Sequence, residues 1–358
     1  LTVAEEAANK AQAPLSGNAA YRRGGSCSVA RLGVSLGPVR SMSCQRSIKG
    51  AGFSEKRKTR KLAVSTTSAL MTFGSAQVRC VEEVRIANHI ESFTSNRDLL
   101  EANRYWLYPH FLDDHGGFDL VFQSWIVEIG GRVILIDPCN GNDRPHSVPY
   151  FNMLDVPYIE RMQASGYLPQ DIDYVICTHL HHDHCGWNTR LRDGKWVPTF
   201  PNARYIVRRL EYDNFLAADA GLPADDLNKG VFARSVEPVM AAGLMDLVSA
   251  DHALFSGVTI EGAPGHTFGH QMVHFHSAGQ HAYFTGDCFH HPIQLADPTV
   301  LFAGADDTAA LIATRRRLVE LSCEQDAYLI AAHVPAPYAV RASLAGEIVH
   351  FTAGAQTL

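Results

Sequence analysis

A run of metal-ligand residue types stands in the middle of this 358-residue chain. The stretch 178–187 reads Thr-His-Leu-His-His-Asp-His-Cys-Gly-Trp and follows an apolar run of strand type. Imidazole and carboxylate groups are the ligands that Zn²⁺ and similar divalent ions take in catalytic sites. In an extended loop, His179 and His181 point to the same side, while Asp183 and His184 fall on the next turn and can face a second ion. The stretch therefore predicts a loop that binds metal.

One loop cannot complete the coordination of two ions, and three later segments supply further candidates. Each candidate comes directly after an apolar run that is typical of a strand; they are His266, Asp287 and His333. Ligands at strand ends converge on one edge of a sheet, so we expect these side chains to meet the first loop. Taken singly, each has an ordinary structural explanation. Together with the first loop they predict a metal centre.

The four segments together resemble the metallo-β-lactamase superfamily over about residues 119–335. The family pattern is HxHxDH, then a Gly-His, then a Gly-Asp and then a late His. The resemblance implies one ligand set for each of two metals and one bridging residue: His179, His181 and His266 for the first metal, Asp183, His184 and His333 for the second, and Asp287 as the bridge. It also implies that Asp137, at the end of the strand 132–136, supports the metal loop.

Two stretches are most similar to one branch of that superfamily, the branch of N-acyl-homoserine-lactone lactonases and methyl-parathion-hydrolase-like enzymes. They are the first metal loop up to Asn188 and the stretch 286–294, which reads Gly-Asp-Cys-Phe-His-His-Pro-Ile-Gln. Lactonases of this branch often have Tyr three residues after the bridging Asp, where this chain has His290. An imidazole can still donate a hydrogen bond to a substrate oxygen. We therefore predict His290 as a catalytic residue and His291 as the next candidate, with packing around the metals as the alternative for both.

The predicted centre would perform hydrolysis. Two ions that share a water lower its pKa and leave a hydroxide nucleophile, and an ion can polarise a carbonyl or phosphoryl oxygen. Asp183 is predicted to pass a proton to the leaving group. We expect a hydrolase with two divalent metal ions, zinc being the expected metal, that cleaves a lactone or ester of a small apolar substrate. A phosphotriesterase, a thioesterase and an iron-dependent redox enzyme of the same fold remain alternatives.

Several residues near the predicted ligands have blander interpretations. His182 is expected to point away from the metals, and Cys185 is expected to be a buried thiol. Trp187, Phe268 and Phe289 are candidates either for the wall of an apolar pocket or for the core. Four further histidines are predicted to lie on the surface or to support the ligands: His270, His274, His276 and His281.

Strand and helix patterns alternate along the chain. Strands are predicted over 119–129 and 132–136, joined at Gly130-Gly131 as a hairpin, and over later apolar runs at 174–177, 204–207, 258–261, 272–276, 281–285 and 328–332. Helices are predicted over 153–165 and 307–322, and 209–247 is interpreted as a helical insertion near the site. This order predicts an α/β protein of two sheets with outer helices. The resemblance implies the four-layer αβ/βα sandwich.

Charge is distributed unevenly along the chain. Residues 1–61 hold twelve Lys and Arg and three Glu, a net charge of +9, so the rest of the chain carries −15. An acidic body disfavours nucleic acid as a partner, and the absence of an apolar run of about 18 residues disfavours a membrane span. We therefore expect a small-molecule substrate.

The N-terminal segment has a composition of its own. Residues 7–54 contain seven Lys and Arg and no Asp or Glu, which is typical of an organellar transit peptide. We predict a disordered basic leader or transit-like segment over 1–71 and a hydrolase domain over 72–358. The scattered cysteines favour reduced thiols. The expected location is cytoplasmic, or organellar if the leader is a transit peptide.

Overall fold

The computed structural model describes residues 71–249, 251–302 and 304–354, so the predictions for residues 1–70 lie outside the described residues. Two seven-stranded sheets and a small two-stranded sheet carry sixteen described strands. In chain order these are β1 (Met71–Phe73), β2 (Ala76–His89), β3 (Gly117–Ile129), β4 (Arg132–Ile136), β5 (Tyr174–Ile176), β6 (Thr189–Arg192), β7 (Lys195–Pro198), β8 (Arg204–Arg208), β9 (Met245–Val248), β10 (His252–Phe255), β11 (Val258–Gly262), β12 (Gln271–Ser277), β13 (Gln280–Phe284), β14 (Tyr328–Ile330), β15 (Ala339–Ala345) and β16 (Ile348–Ala353).

Helices connect the strands. The α-helices are α1 (Arg97–Ala102), α2 (Arg104–Leu107), α3 (Tyr158–Ala164), α4 (His182–Cys185), α5 (Arg209–Asp219), α6 (Glu237–Ala241), α7 (Ile293–Ala296) and α8 (Thr308–Gln325). The longest, α8, begins where the Asp307 carboxylate accepts a hydrogen bond from the Ala310 amide, and it ends at Asp326 in the left-handed conformation. Within the described residues, none of the helices combines the length and the apolar character that crossing a bilayer requires.

The order of the strands determines which strand ends share an edge. The first sheet runs β1-β2-β3-β4-β5-β8-β9, antiparallel up to β4 and parallel from β4 to β9. The second runs β10 to β16 in sequence order, and only β13 and β14 are parallel. Because β12 is antiparallel to both β11 and β13, the C-terminal ends of β11, β13 and β14 lie at the same edge.

The two sheets pack face to face, with helices outside. Their facing sides form one apolar core that includes Trp125 and Ile176 of the first sheet and Phe275 and Phe284 of the second. The outer side of the first sheet is covered in part by α3 and α6, and that of the second by α2 and α8. The predicted four-layer α/β sandwich is therefore confirmed. The predicted hairpin also forms, because Gly130 and Gly131 both adopt the positive φ that its turn requires.

Two predicted helices have different bounds in the structure. The helix predicted over 153–165 begins only at Tyr158, because Pro157 restricts the residue before it and Met153 has a positive φ. The predicted helical insertion 209–247 is helical only over α5 and over 232–241, where a π-helical turn leads into α6. Its last residues belong to β9, which pairs with β8 at the edge of the first sheet.

Candidate metal centre

Four loops that follow strands bring the predicted ligands together. The loop after β5 carries the HxHxDH residues, and the loops after β11, β13 and β14 carry His266, Asp287 and His333. Sequence reasoning placed all of them at one edge of one sheet. The structure instead places them between the rims of two sheets, because β5 belongs to the first sheet and the other three strands to the second.

Three imidazoles form a first donor group. The His181 Nδ1 atom lies 2.9 Å from Nε2 of His179 and 3.0 Å from Nε2 of His266. The rings stand nearly perpendicular to one another, so their nitrogens converge on one point instead of stacking. These three residues could hold one ion.

A carboxylate and two imidazoles form a second donor group beside the first. The Asp183 Oδ2 atom lies 3.7 Å from Nε2 of His184 and 3.5 Å from Nε2 of His333. The two rings are almost perpendicular, and all three side chains are mostly buried. This group could hold a second ion, with a carboxylate oxygen in place of the third imidazole.

Asp287 lies between the two groups. Its Oδ2 is 3.4 Å from Nε2 of His266 in the first group and 3.3 Å from Nε2 of His184 in the second. Its Oδ1 is 3.1 Å from Nε2 of His333. One carboxylate therefore faces donor atoms of both groups, which is the geometry that a bridging ligand requires.

The donor atoms fit a divalent cation. Within the described part of the chain, the buried atoms His184 Nε2 and Asp287 Oδ1 have no hydrogen-bond partner. A buried polar atom without a partner costs about 1–3 kcal/mol, and a bound ion would remove that cost. Nitrogen and carboxylate oxygen donors without a thiolate suit Zn²⁺ and neighbouring divalent metals.

Two ring nitrogens that face away from the centre lie close to oxygen atoms. Nδ1 of His184 lies 3.0 Å from Oδ2 of Asp137, and Nδ1 of His333 lies 3.1 Å from the Val121 carbonyl oxygen. Asp137 also accepts hydrogen bonds from the Thr178 amide and hydroxyl, at 2.7 and 2.8 Å. Such outer partners orient metal-ligating imidazoles, and the position of Asp137 agrees with its predicted supporting role.

A buried glutamate that sequence reasoning missed ties together the two loops of the first group. Glu211 accepts hydrogen bonds from the Leu180 amide at 2.9 Å, from the Thr267 hydroxyl at 2.7 Å and from the Gly269 amide. Burial raises the pKa of its carboxyl group to about 7. Nothing in the sequence marks this residue, because a single glutamate in the first turn of a helix is ordinary.

A second buried glutamate supports the other side of the first metal loop. Glu83 accepts hydrogen bonds from the amide and side chain of Asn140 and from the Trp187 indole. The Asn140 side chain in turn contacts Nδ1 of His182 at 2.9 Å. The sequence predicts that His182 points away from the metals, but its Nε2 lies 3.7 Å from Oδ1 of Asp183, so the ring adjoins the second donor group.

The two donor groups differ in their protonation. Burial lowers the pKa of His179, His181 and His266, and for His179 and His266 the shift is large. Burial also opposes a charge on His184 and His333, but the nearby carboxylates, Asp287 foremost, outweigh it and raise the pKa of both rings.

Of the two histidines after Asp287, only His290 faces the centre. Its Nε2 is 3.1 Å from Oδ2 of Asp287. Nε2 of His291 instead lies 3.2 Å from the Phe111 carbonyl oxygen, and the ring packs against Phe118. The weaker candidate, His291, is therefore a structural residue.

Most of the remaining predicted neighbours belong to the core. Trp187 stacks on Tyr158, Phe289 is buried beside α8, and the Cys185 thiol is fully buried. Phe268 remains 49% exposed beside the ligand loop. His270 is fully buried, and its Nε2 accepts a hydrogen bond from the Asp287 amide at 3.1 Å, so it supports the bridging residue.

Comparisons with known proteins find relatives of low sequence identity. One relative is the N-acyl homoserine lactonase AiiA of Bacillus thuringiensis subsp. kurstaki, 27% identical over 155 residues that cover 43% of this chain. The alignment spans 53% of AiiA, so the chain spans about half the length of the curated relatives it matches.

Solved structures share the fold. The hydrolase AbOPH of the beta lactamase superfamily aligns with a TM-score of 0.64 at 21% identity, over 80% of this chain and 96% of its own. The dizinc quorum-quenching lactonase AidC aligns with a TM-score of 0.60 at 18% identity, over 81% and 99%. The family model described as "Metallo-beta-lactamase superfamily" matches residues 123–333, more than half of the chain. The chain therefore belongs to the metallo-beta-lactamase superfamily.

Proposed function

We propose that the protein is a dinuclear metal-dependent hydrolase that cleaves a lactone or carboxylic ester of a small apolar substrate. The observation that carries the proposal is the convergence of seven donor side chains from four loops, with Asp287 facing both groups. The lactonases among its relatives support the same chemistry. Zinc is the proposed metal, since the donors are imidazoles and carboxylates.

When bound, the ion pair would supply a water of lowered pKa and a Lewis acid for a substrate oxygen. The chain's own groups would then move protons and orient the substrate. Asp183 would accept the proton that is released when water adds to the carbonyl carbon and would pass it to the leaving oxygen. His290 would donate a hydrogen bond to a substrate oxygen from the other side of Asp287.

Aromatic rings beside the donor groups support an apolar substrate. The Phe122 ring lies 4.8 Å from that of His333, and the Phe302 ring lies 5.5 Å from that of His290, between ring centroids. Phe122 and Phe302 belong to an apolar cluster that also includes Phe151. Apolar walls with a few convergent polar groups are typical of small-molecule sites.

A substrate panel with defined metals tests this function. Metal-free protein is loaded with zinc, manganese or iron and assayed with lactones, aryl esters, thioesters and phosphotriesters, and oxygen uptake is followed in parallel. We expect the highest kcat/KM for lactones or esters and no turnover without metal. A dominant phosphotriester or thioester rate, or oxygen uptake by the iron-loaded protein, would contradict the proposed substrate class.

A further inference from the structure

His290 brings a sixth imidazole to the centre, outside both donor groups. Its Nε2, Nε2 of His266 and a carboxylate oxygen of Asp287 all lie within 4.8 Å of one another. The Asp287 Oδ2 atom is 3.1 Å from the His290 nitrogen and 3.4 Å from the His266 nitrogen. Two ligands on one tetrahedral zinc ion, with bonds of about 2.0–2.1 Å, stand about 3.3 Å apart. The spacing is that of ligands on a shared ion.

A hydrogen bond from His290 to Asp287 is the competing interpretation of the same distance. Oδ2 of Asp287 already faces Nε2 of His266, His184 and, at 3.9 Å, His179, so four imidazoles with His290 surround one oxygen. If that oxygen binds an ion, one of its lone pairs is directed to the ion and only the other is left for a hydrogen bond. An imidazole at ligand spacing can then offer its own lone pair to the same ion.

The other nitrogen of His290 is available to carry the ring proton. Nδ1 is buried and is without a hydrogen-bond partner among the residues that the structure describes. Ligation through Nε2 requires the ring proton on Nδ1, whereas a hydrogen bond to Oδ2 of Asp287, 3.1 Å away, requires it on Nε2. The ring can carry its proton on Nδ1, which leaves the Nε2 lone pair directed towards Asp287 and His266.

The position of His290 is fixed by buried neighbours. The Gln294 side-chain oxygen accepts a hydrogen bond from the His290 amide at 2.8 Å. Arg315, fully buried on α8, donates to the Cys288 and Val300 carbonyl oxygens, each at 2.7 Å. The loop between Asp287 and α8 is thus held from both sides, so His290 is preorganised at the centre.

We infer that Nε2 of His290 is an additional metal ligand on the His266 side of Asp287 in the substrate-free enzyme. The inference rests on the proposed function, because it assumes the ion pair. The ion of the first group then has four imidazole donors and one carboxylate oxygen. His290 reaches a substrate oxygen only by leaving that ion, so substrate and the fifth ligand compete. An imidazole-rich set also favours zinc and cobalt over manganese and magnesium.

Cobalt substitution of the purified full chain tests the inference. Metal-free wild type, H290F and H291F are titrated with Co²⁺, and the affinity of each ion and the visible absorption are measured. We expect H290F to bind one of two ions at least ~10-fold more weakly, as even the loss of an outer partner of a ligand does. Its visible bands should intensify, since that ion falls from five ligands to four. H291F makes the same substitution one residue on, at a ring that faces away, and should match the wild type.

Wild-type affinity and spectrum in H290F, with two ions in the wild type, would refute this inference and leave the proposed function intact. Fewer than two ions in the wild type would refute the proposed function itself. A crystal structure of the zinc-loaded wild type gives a test that does not depend on the folding of a variant. It should show Nε2 of His290 within about 2.3 Å of an ion, and a separation above about 3 Å would overturn the inference.

Discussion

The two donor groups differ more in charge than in shape. The first, His179, His181 and His266, has only imidazoles, and burial lowers the pKa of each ring. The second contains Asp183, and its two imidazoles have raised pKa values because carboxylates surround them. At neutral pH the first group is therefore ready to accept a cation, whereas the second must lose protons first.

The supports of the two groups differ in the same way. Glu211 joins the two loops of the first group through backbone and hydroxyl donors. Asp137 contacts a ligand of the second group directly, since its Oδ2 lies 3.0 Å from Nδ1 of His184. Asp137 reaches the first group through the Thr178 hydroxyl, which lies 3.1 Å from Nδ1 of His179. The carboxylate is therefore in more direct contact with the second group than with the first.

Loss of a ligand from either group should have the largest effect. We expect His181→Ala and Asp287→Ala to abolish turnover and to lower the metal content, because one removes a donor of the first group and the other the bridge. Metal analysis and ester hydrolysis measure both effects. His276→Ala removes an exposed imidazole on β12 and serves as the control. An unchanged rate in metal-analysed Asp287→Ala protein would rule out the bridging role.

Glu211, which supports the first group, should make the free energy of unfolding depend on pH. The Glu211 carboxyl has a folded-state pKa of about 7, above its ordinary value, because of burial. The unfolded chain therefore releases this proton at lower pH, and the folded state loses stability as pH rises from about 4.5 to 7. The loss approaches about 3 kcal/mol.

Glu211→Gln should remove this part of the pH dependence. Urea denaturation of metal-free wild type and variant at pH 5 and pH 8 measures it. The free energy of unfolding of the wild type minus that of Glu211→Gln should be lower at pH 8 than at pH 5. Parallel pH dependences of the two proteins would show that the Glu211 carboxyl has an ordinary pKa.

Asp137, which contacts a ligand candidate of the second group, should raise the affinity of that group for its ion. Asp137→Asn keeps the size of the side chain but removes the charge beside His184 and an acceptor of the Thr178 hydroxyl or amide. We expect one ion to bind about 10–100-fold more weakly. Competition with a chromophoric chelator gives both affinities, and a larger loss at the ion of the first group would contradict a role exerted mainly through His184.

The smallest expected effect is a difference between the two donor groups in the number of protons that metal binding releases. Because the pKa of His184 and of His333 is raised, protons compete with the ion of the second group at neutral pH. The affinity of the second group for its ion should fall as pH decreases, by up to about tenfold per pH unit for each proton that the ion displaces. The ion of the first group should be nearly insensitive over the same range. Calorimetric titration in buffers of different ionisation enthalpy counts the protons, and equal counts for both ions would contradict the difference.

The sequence predicted which candidate ligands converge, because their chemistry is local. His179 to His184 form one loop, and His266, Asp287 and His333 each follow an apolar run, so residue type and position on a strand were enough. The order of strands and helices predicted two sheets with outer helices, and the resemblance to the metallo-β-lactamase superfamily implied the four-layer arrangement. Pro157 was also visible in the sequence, and the effect of that proline on the start of α3 was overlooked.

The supporting residues could not be predicted, because packing alone brings them near the ligands. Glu211 lies on a helix that contacts two loops distant in sequence, and Arg315 reaches carbonyl oxygens from the buried face of α8. The placement of the first loop on a different sheet from the other three was likewise invisible in the strand order. It depends on the pairing of β5 with β4 and β8.

Anomalous diffraction from crystals of the zinc-loaded wild type tests the proposed ion pair most directly. Two peaks should appear about 3.5–4 Å apart, one near His179, His181 and His266 and one near Asp183, His184 and His333. Asp287 should contact both. A single peak, or two peaks that share no contact with Asp287, would contradict the dinuclear centre.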